Sequence, residues 1–153
     1  MDNLTNSIDQ VVQENVLPHE WPKEVLAELK NLEVKNNKRA DLRKIPFVTI
    51  DGKDAKDFDD AVFCEFSKDG FDLQVAIADV AEIVKQDSSI DKEALLRGTS
   101  IYFPKRVIPM LPEEISNNLC SLIPSEDRNV LVCKINYNKA VSYTHLRAHE
   151  TAT

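Results

Sequence analysis

The chain lacks any apolar run near the ~20 residues that a membrane-spanning helix requires. Its opening residues, MDNLTNSIDQ, carry neither the basic start nor the apolar stretch of a secretory signal. No C-x-x-C pair is present, and the three cysteines, Cys64, Cys120 and Cys133, are an odd number. That spacing argues against a disulfide framework or a thiolate metal site, so the cysteines are expected to be reduced thiols serving as small core residues. The expected location is cytoplasmic, with no membrane partner. Positive charge is also scarce. Nineteen Lys and Arg face twenty-six Asp and Glu, for a net charge of −7. A nucleic-acid-binding module usually presents a basic face, so the charge balance by itself stands against that class. Internal repeats and low-complexity tracts are absent.

What is present suffices for a folded domain. At 153 residues and 42% hydrophobic composition, a chain can bury about 68–70% of its unfolded surface. Residues 1 to 17, with scattered Val11, Val12, Val16 and Leu17, read as a strand remnant or an irregular lead-in. Trp21, Val25, Leu26, Leu29 and Leu32 fall on one side of a helix, with Pro22 at its first turn. KNNKRADLRK reads as a polar linker. Phe47 to Ile50 read as a strand, and AVFCEF and FDLQVAIADV as an antiparallel hairpin, with Gly70 supplying a permissive backbone in its turn. SSIDKEALLRG suits a short helix capped by Ser88, Ser89 or Asp91 and ended by Gly98. TSIYFP reads as a strand stopped by Pro104, PEEISNNLCSL as a helix opened by Pro112, and RNVLVCKINYN as a strand. The expected class is α+β with a largely antiparallel sheet and flanking helices.

The chemistry concentrates in TIDGKDAKDFDDAV. Five of the ten residues from Asp51 to Asp60 are aspartates. At neutral pH such carboxylates repel one another unless solvent or cations intervene, and a hard divalent cation favours carboxylate oxygen. With no His or Cys nearby, the set points to Mg²⁺ or Mn²⁺ rather than Zn²⁺. On a straight strand Asp57 and Asp59 share one face and Asp60 the other, so convergence requires an irregular loop, for which Gly52 is the expected pivot. The plain alternative is a solvated acidic loop with Lys53 and Lys56 as local partners. A calcium loop fails on register: from Asp57 its sixth position is Val62, and from Asp54 its third is Lys56. A haloacid-dehalogenase-like nucleophile is disfavoured because Ala55 and Lys56, not an apolar strand, precede DFD.

These residues closely resemble the catalytic signature of the RNase II/RNase R family, the RNB-domain exoribonucleases. The likeness continues through LQVAIADVAEIV, DKEALLRGTSIYFPKRVIPMLPEEISNNLCSLIP and DRNVLVCKI, and the RNase R branch is the nearer one. The resemblance implies 3′→5′ hydrolysis of RNA to nucleoside 5′-monophosphates with two Mg²⁺ ions, and single-stranded RNA entering by its 3′ end. The family's four catalytic aspartates match Asp51, Asp57, Asp59 and Asp60, and Asp54 is not among them. Asp51 and Asp60 are expected to be direct ligands, with Asp57 and Asp59 completing the shell or orienting water. Tyr102 matches an aromatic that packs on nucleotides at the 3′ end, although by residue type it would be a core or sheet-surface tyrosine. Lys105, Arg106, Arg97 and Arg128 are candidates for a basic RNA channel wall, or else ordinary surface charges.

The same resemblance divides the chain. Residues 1–45 are a lead-in helix and linker from an upstream OB-fold region, residues 46–139 the first part of the RNB domain, and residues 140–153 a tail outside the family pattern, resembling adapter or vector sequence. His145 and His149 in that tail are four apart, without the glutamate of a zinc-protease motif. A complete RNB domain is more than twice this length, so this piece alone is expected to be inactive and prone to aggregate, and the intact protein monomeric. The competing classes are a non-catalytic RNA- or protein-binding module and a structural divalent-metal-binding domain.

Overall fold

The computed structural model describes residues 3–34, 39–138 and 143–152, the last stretch through its backbone alone. The chain forms two compact units, Met1–Leu32 with Val84–Pro112, and Glu33–Ile83 with Glu113–Thr153.

The first unit contains helices α1 (Asn3–Glu14), α2 (Lys23–Leu29) and α4 (Ser89–Arg97), and a hairpin of β4 (Ile101–Phe103) and β5 (Arg106–Ile108). Helix α1 replaces the expected strand remnant. Ile8 and Val12, four apart and so on one face, are buried and pack with Ile108, Leu17, Ile101 and Phe103. Each such aliphatic burial contributes about 1.5–3 kcal/mol. The helix ends in a Schellman arrangement: the Leu17 N–H donates to the Val12 carbonyl (3.0 Å) and the Val16 N–H to the Gln13 carbonyl (3.2 Å). Val16 thereby occupies the left-handed position, φ 52°, where glycine is the usual choice.

Helix α4 begins as its sequence implies. The Ser88 hydroxyl accepts from the Asp91 N–H at 3.2 Å, and the Glu28 carboxylate of α2 accepts from the Ser89 and Ile90 N–H groups at 2.7 and 3.2 Å. An anion on the exposed amides of a helix start is favourable. Gly98 ends the helix at φ 71°. Arg97 is neither a channel wall nor a surface charge. Its side chain is 2% exposed and pairs with Glu93, donates to the Pro109 and Glu20 carbonyls, and lies 3.5 Å from the Trp21 ring centroid.

The second unit is built on a five-stranded sheet in the order β1 (Ala40–Asp41), β7 (Tyr143–Ala152), β6 (Asn129–Asn138), β3 (Gly70–Ala78), β2 (Asp60–Phe66). All neighbours are antiparallel except β1 with β7. The β2–β3 antiparallel hairpin forms as expected, but Gly70 serves a different purpose. A Cβ there would run into the Tyr137 carbonyl of β6, so glycine is demanded by close strand approach rather than by the turn. Ala76, Val130 and Val132 are buried with Leu42, Phe47 and Leu122. The opposite side of the same strands leaves Ile77 and Leu131 exposed, the alternation a half-covered sheet requires.

Several expectations change here. The Phe47–Ile50 strand shrinks to one antiparallel bridge between Val48 and Val62. Asp79 ends β3, and Val80–Ile83 forms a short helix, α3, that the strand reading overran. PEEISNNLCSL does coil, but Glu114–Leu119 is a π-helix, closed by the Cys120 N–H donating to the Ile115 carbonyl at 2.8 Å. Cys120 is buried while Cys64 is exposed, so the core role holds for the first and fails for the second. Residues 35–38 of the expected linker lie outside the described residues. Tyr143–Ala152 is a strand, so the helical face that would have joined His145 and His149 does not form.

Candidate active site

The acidic segment leaves the sheet at the free edge of β2 and rejoins it at the start of β2, on the side paired with β3. At the first, Val48 and Val62 exchange both backbone hydrogen bonds, at 2.9 and 2.8 Å. At the second, Asp60 opens β2 opposite Ile77, and the Asp59 carbonyl accepts from the Ala78 N–H at 2.9 Å. An antiparallel approach in the Val48–Val62 register carries Asp51 toward Asp59. Between the two points the backbone has no regular structure apart from a turn in which the Ala55 N–H donates to the Gly52 carbonyl at 3.0 Å. Irregular backbone was the condition for convergence, and it is met. Gly52 is not the reason: it is not among the glycines at positive φ, and a Cβ there would meet nothing.

The returning limb is pinned from within. Ser121, fully buried, accepts from the Phe58 N–H at 3.0 Å and donates to the Lys56 carbonyl at 2.7 Å. The Phe58 carbonyl accepts from the Leu122 N–H at 2.9 Å. Asp57 therefore sits between two anchored peptide groups. This serine was missed in the sequence. Its one signal was a hydroxyl set inside the apolar run LCSLI, where burial demands hydrogen-bond partners.

The loop brings its charges together. Burial holds the Asp59 carboxyl above the usual 3.8, and the negative charges of Asp57, Asp51 and Asp60, in that order, push it further the same way. All four aspartates predicted from the sequence thus act on one electrostatic neighbourhood. Among the described residues no ion pair joins Lys53 or Lys56 to them, in contrast to the solvated-loop alternative. Nor do three His, Cys, Asp or Glu side chains among the described residues stand together as a ready-made cage for a single ion. A cation at this loop would have to complete its coordination with water and substrate oxygen. An all-oxygen donor set with surplus negative charge fits a hard divalent cation, and this is the cofactor class the family suggests.

Elsewhere in the same unit lies a cavity of about 520 Å³ lined by Arg39, Arg43, Asp79, Cys120, Arg128 and Asn129 among others. None of the four aspartates lines it. Cys120 connects the two regions. Burial first, then the charges of Asp59 and Asp79, push its thiol up to about 11, so it is an inert packing residue rather than a nucleophile. Arg39, only 5% exposed, binds Asp79 at 2.7 Å and Glu82 at 3.4 Å. Arg128 is not a wall residue either; it braces the backbone, donating to the Ser121 and Asn118 carbonyls at 3.0 and 3.2 Å.

Tyr102, in the first unit, stands on β4 opposite Val107, and both are exposed, Tyr102 to 69%. Ile101 and Phe103 on either side of it pack inward. The tyrosine is therefore no core residue, and its ring is open to a stacking partner. Arg106 is paired with Asp9 at 2.6 Å. Lys105 is exposed, holding φ 64° in the two-residue turn after Pro104.

The sequence profile of the RNB domain matches residues 39–152. Ribonuclease R of Acidithiobacillus ferrooxidans is 52% identical over 145 residues, covering 92% of this chain and 33% of that protein. Two solved structures of Mycoplasma genitalium RNase R match 99% of the chain at 35% identity. One, in complex with double-stranded RNA, has a TM-score of 0.93 over 28% of its chain. The other, in complex with ribose-methylated single-stranded RNA, has a TM-score of 0.92 over 24%. The chain thus spans a third or less of the length of these relatives. With its α+β architecture, its acidic loop and these similarities, it belongs to the RNB-domain family of the ribonuclease R exoribonucleases.

Proposed function

We propose that this chain is the acidic-loop portion of the catalytic domain of a 3′→5′ exoribonuclease that releases nucleoside 5′-monophosphates from single-stranded RNA. The observation that carries the reading is four aspartates on one irregular loop, where burial first, and then the charges of Asp57, Asp51 and Asp60, raise the Asp59 carboxyl above its ordinary value. Asp51 and Asp60 are assigned as ligands of Mg²⁺, for which Mn²⁺ can substitute, and Asp57 and Asp59 as groups that complete the shell or orient water. Two such ions, once bound, supply charge neutralisation at the scissile phosphate and a lowered pKa for the attacking water. Tyr102 offers its exposed ring to a base at the 3′ end, an interaction worth about 1–3 kcal/mol per stacked base. The net negative charge is reconciled with an RNA substrate because cations neutralise this loop and basic surfaces beyond this chain hold the backbone.

The rest of the assignment follows the family likeness: an intact protein that is monomeric and cytoplasmic, upstream and downstream RNA-binding domains, and a chain that by itself aggregates and turns over no RNA. Exposed Phe66, Ile50 and Leu131 are the apolar surface that would drive association. The test is Asp59→Asn in the complete reading frame, assayed on 3′-tailed RNA. Monophosphate release should vanish while RNA binding persists. Near-normal cleavage would refute the assigned role.

A further inference from the structure

We infer that Ser121 is a positioning residue for the acidic loop, holding Asp57 in place for cation binding through a single hydroxyl that bridges the two peptide groups flanking it. The inference rests on the reading of the loop as a metal site.

Four like charges on eleven or so residues of irregular backbone push the loop open. Nothing in the loop opposes this: Gly52–Ala55 forms one turn, and Lys53 and Lys56 make no ion pair with the aspartates among the described residues. Opposition comes from outside the loop. Ser121 Oγ accepts from Phe58 N–H and donates to Lys56 C=O, and the next residue, Leu122, donates to Phe58 C=O. Residues 121–122 thus stand in for the strand neighbour that the loop lacks. They are braced in turn, because Arg128 donates to the Ser121 carbonyl and the π-helix closes on Cys120 immediately before. A hydroxyl can satisfy a donor and an acceptor at once, here two residues apart. Alanine at this fully buried position would leave both Lys56 C=O and Phe58 N–H without that partner, and the repulsion within the loop would then act on a limb with one of these three anchors left.

The experiment titrates Mn²⁺ into the protein of the complete reading frame, following the free-ion electron paramagnetic resonance signal, and measures amide hydrogen exchange at Phe58. Ser121→Ala is expected to weaken Mn²⁺ binding about tenfold, the effect of one buried hydrogen-bonded group, and to speed exchange at Phe58. Ser121→Thr, which keeps the hydroxyl, should recover most of both. Val132→Ala supplies the control: it opens a cavity in the sheet core, lowers the melting temperature, and should leave Mn²⁺ affinity within twofold. If Ser121→Ala does not fold, Ser121→Cys, of similar volume but weaker in both bonds, makes the same comparison. Equal Mn²⁺ affinity in wild type and the Ser121 variants overturns the inference and leaves the metal reading intact. A wild-type chain that takes up no Mn²⁺ removes the metal reading itself, and this inference with it.

Discussion

Asp79 and Asp59 belong to the same unit, and each follows or precedes a strand of the same hairpin, yet their surroundings are opposite. Asp79 is buried and meets the Arg39 guanidinium at 2.7 Å, with Glu82 sharing the same cation. Asp59 lies in the field of three more carboxylates. Asp41 repeats the first pattern at the surface, where hydrogen bonds from Arg43 hold its carboxyl well below the ordinary range. The chain can therefore place an arginine beside an acid when structure requires it. Among the described residues, none pairs with Asp51, Asp57, Asp59 or Asp60. Acids neutralised by their own chain stabilise the fold, whereas acids left to repel one another carry a cost that an external cation can remove. That contrast separates scaffold from site within one sheet.

The sharpest way to break the comparison is to take the arginine away from the structural acid. Arg39→Ala leaves Asp79 buried and uncompensated, which should cost about 3–5 kcal/mol and be visible as a large fall in thermal midpoint. If the loss is under 1 kcal/mol, Asp79 is no more dependent on its partner than Asp59 is. Removing a charge from the loop should act in the opposite direction. Without added metal, Asp59→Asn is expected to raise stability at pH 7 by about 0.5–2 kcal/mol, as relief of a functional-site conflict does. Mg²⁺ should then raise the melting temperature of the wild type, by about 2.7 kcal/mol of linkage at a hundredfold excess over the dissociation constant, and should raise that of Asp59→Asn far less.

The pH dependence distinguishes the two acids again. A raised carboxyl is destabilising when ionised, so the penalty at Asp59 is present at neutral pH and disappears as pH falls through its raised value toward the ordinary 3.8. The advantage of Asp59→Asn should therefore shrink on acidification, as read by urea melts at stepped pH. Asp41 has the other sign. Its contribution is present above the ordinary carboxylate value and is lost as pH falls toward its depressed one. The smallest effect expected is from Arg43→Ala. Its partners Asp41 and Asp127 are 55% and 69% exposed, and solvent screening leaves such pairs little weight in stability.

Local signals were legible where local physics decides. The β2–β3 hairpin, the β6 alternation, the Ser88 cap and the Gly98 stop all depend on a few neighbouring residues, and all formed as read. Helix α1 was not legible, because Ile8 and Val12 become a face only when Ile108 arrives from a hundred positions away. Phe47–Ile50 has strand propensity but only Val48 finds a partner, since the limb must peel off to carry Asp51 into the loop. Arg97 read as a free surface charge because the Glu93, Glu20, Pro109 and Trp21 groups that enclose it come from three separate segments.

The sequence by itself determined the density of aspartates, the absence of nitrogen or sulfur ligands among them, and the order of blocks that marks the family. Each is a property of residue type and spacing along the chain. Which acids receive an arginine, and which stand on a loop whose backbone is anchored by a buried serine some sixty residues downstream, was settled only in three dimensions. Charge and hydrogen-bond pairing act over a few ångströms of space, and no rule of spacing along the chain says which distant residues folding will bring within that reach.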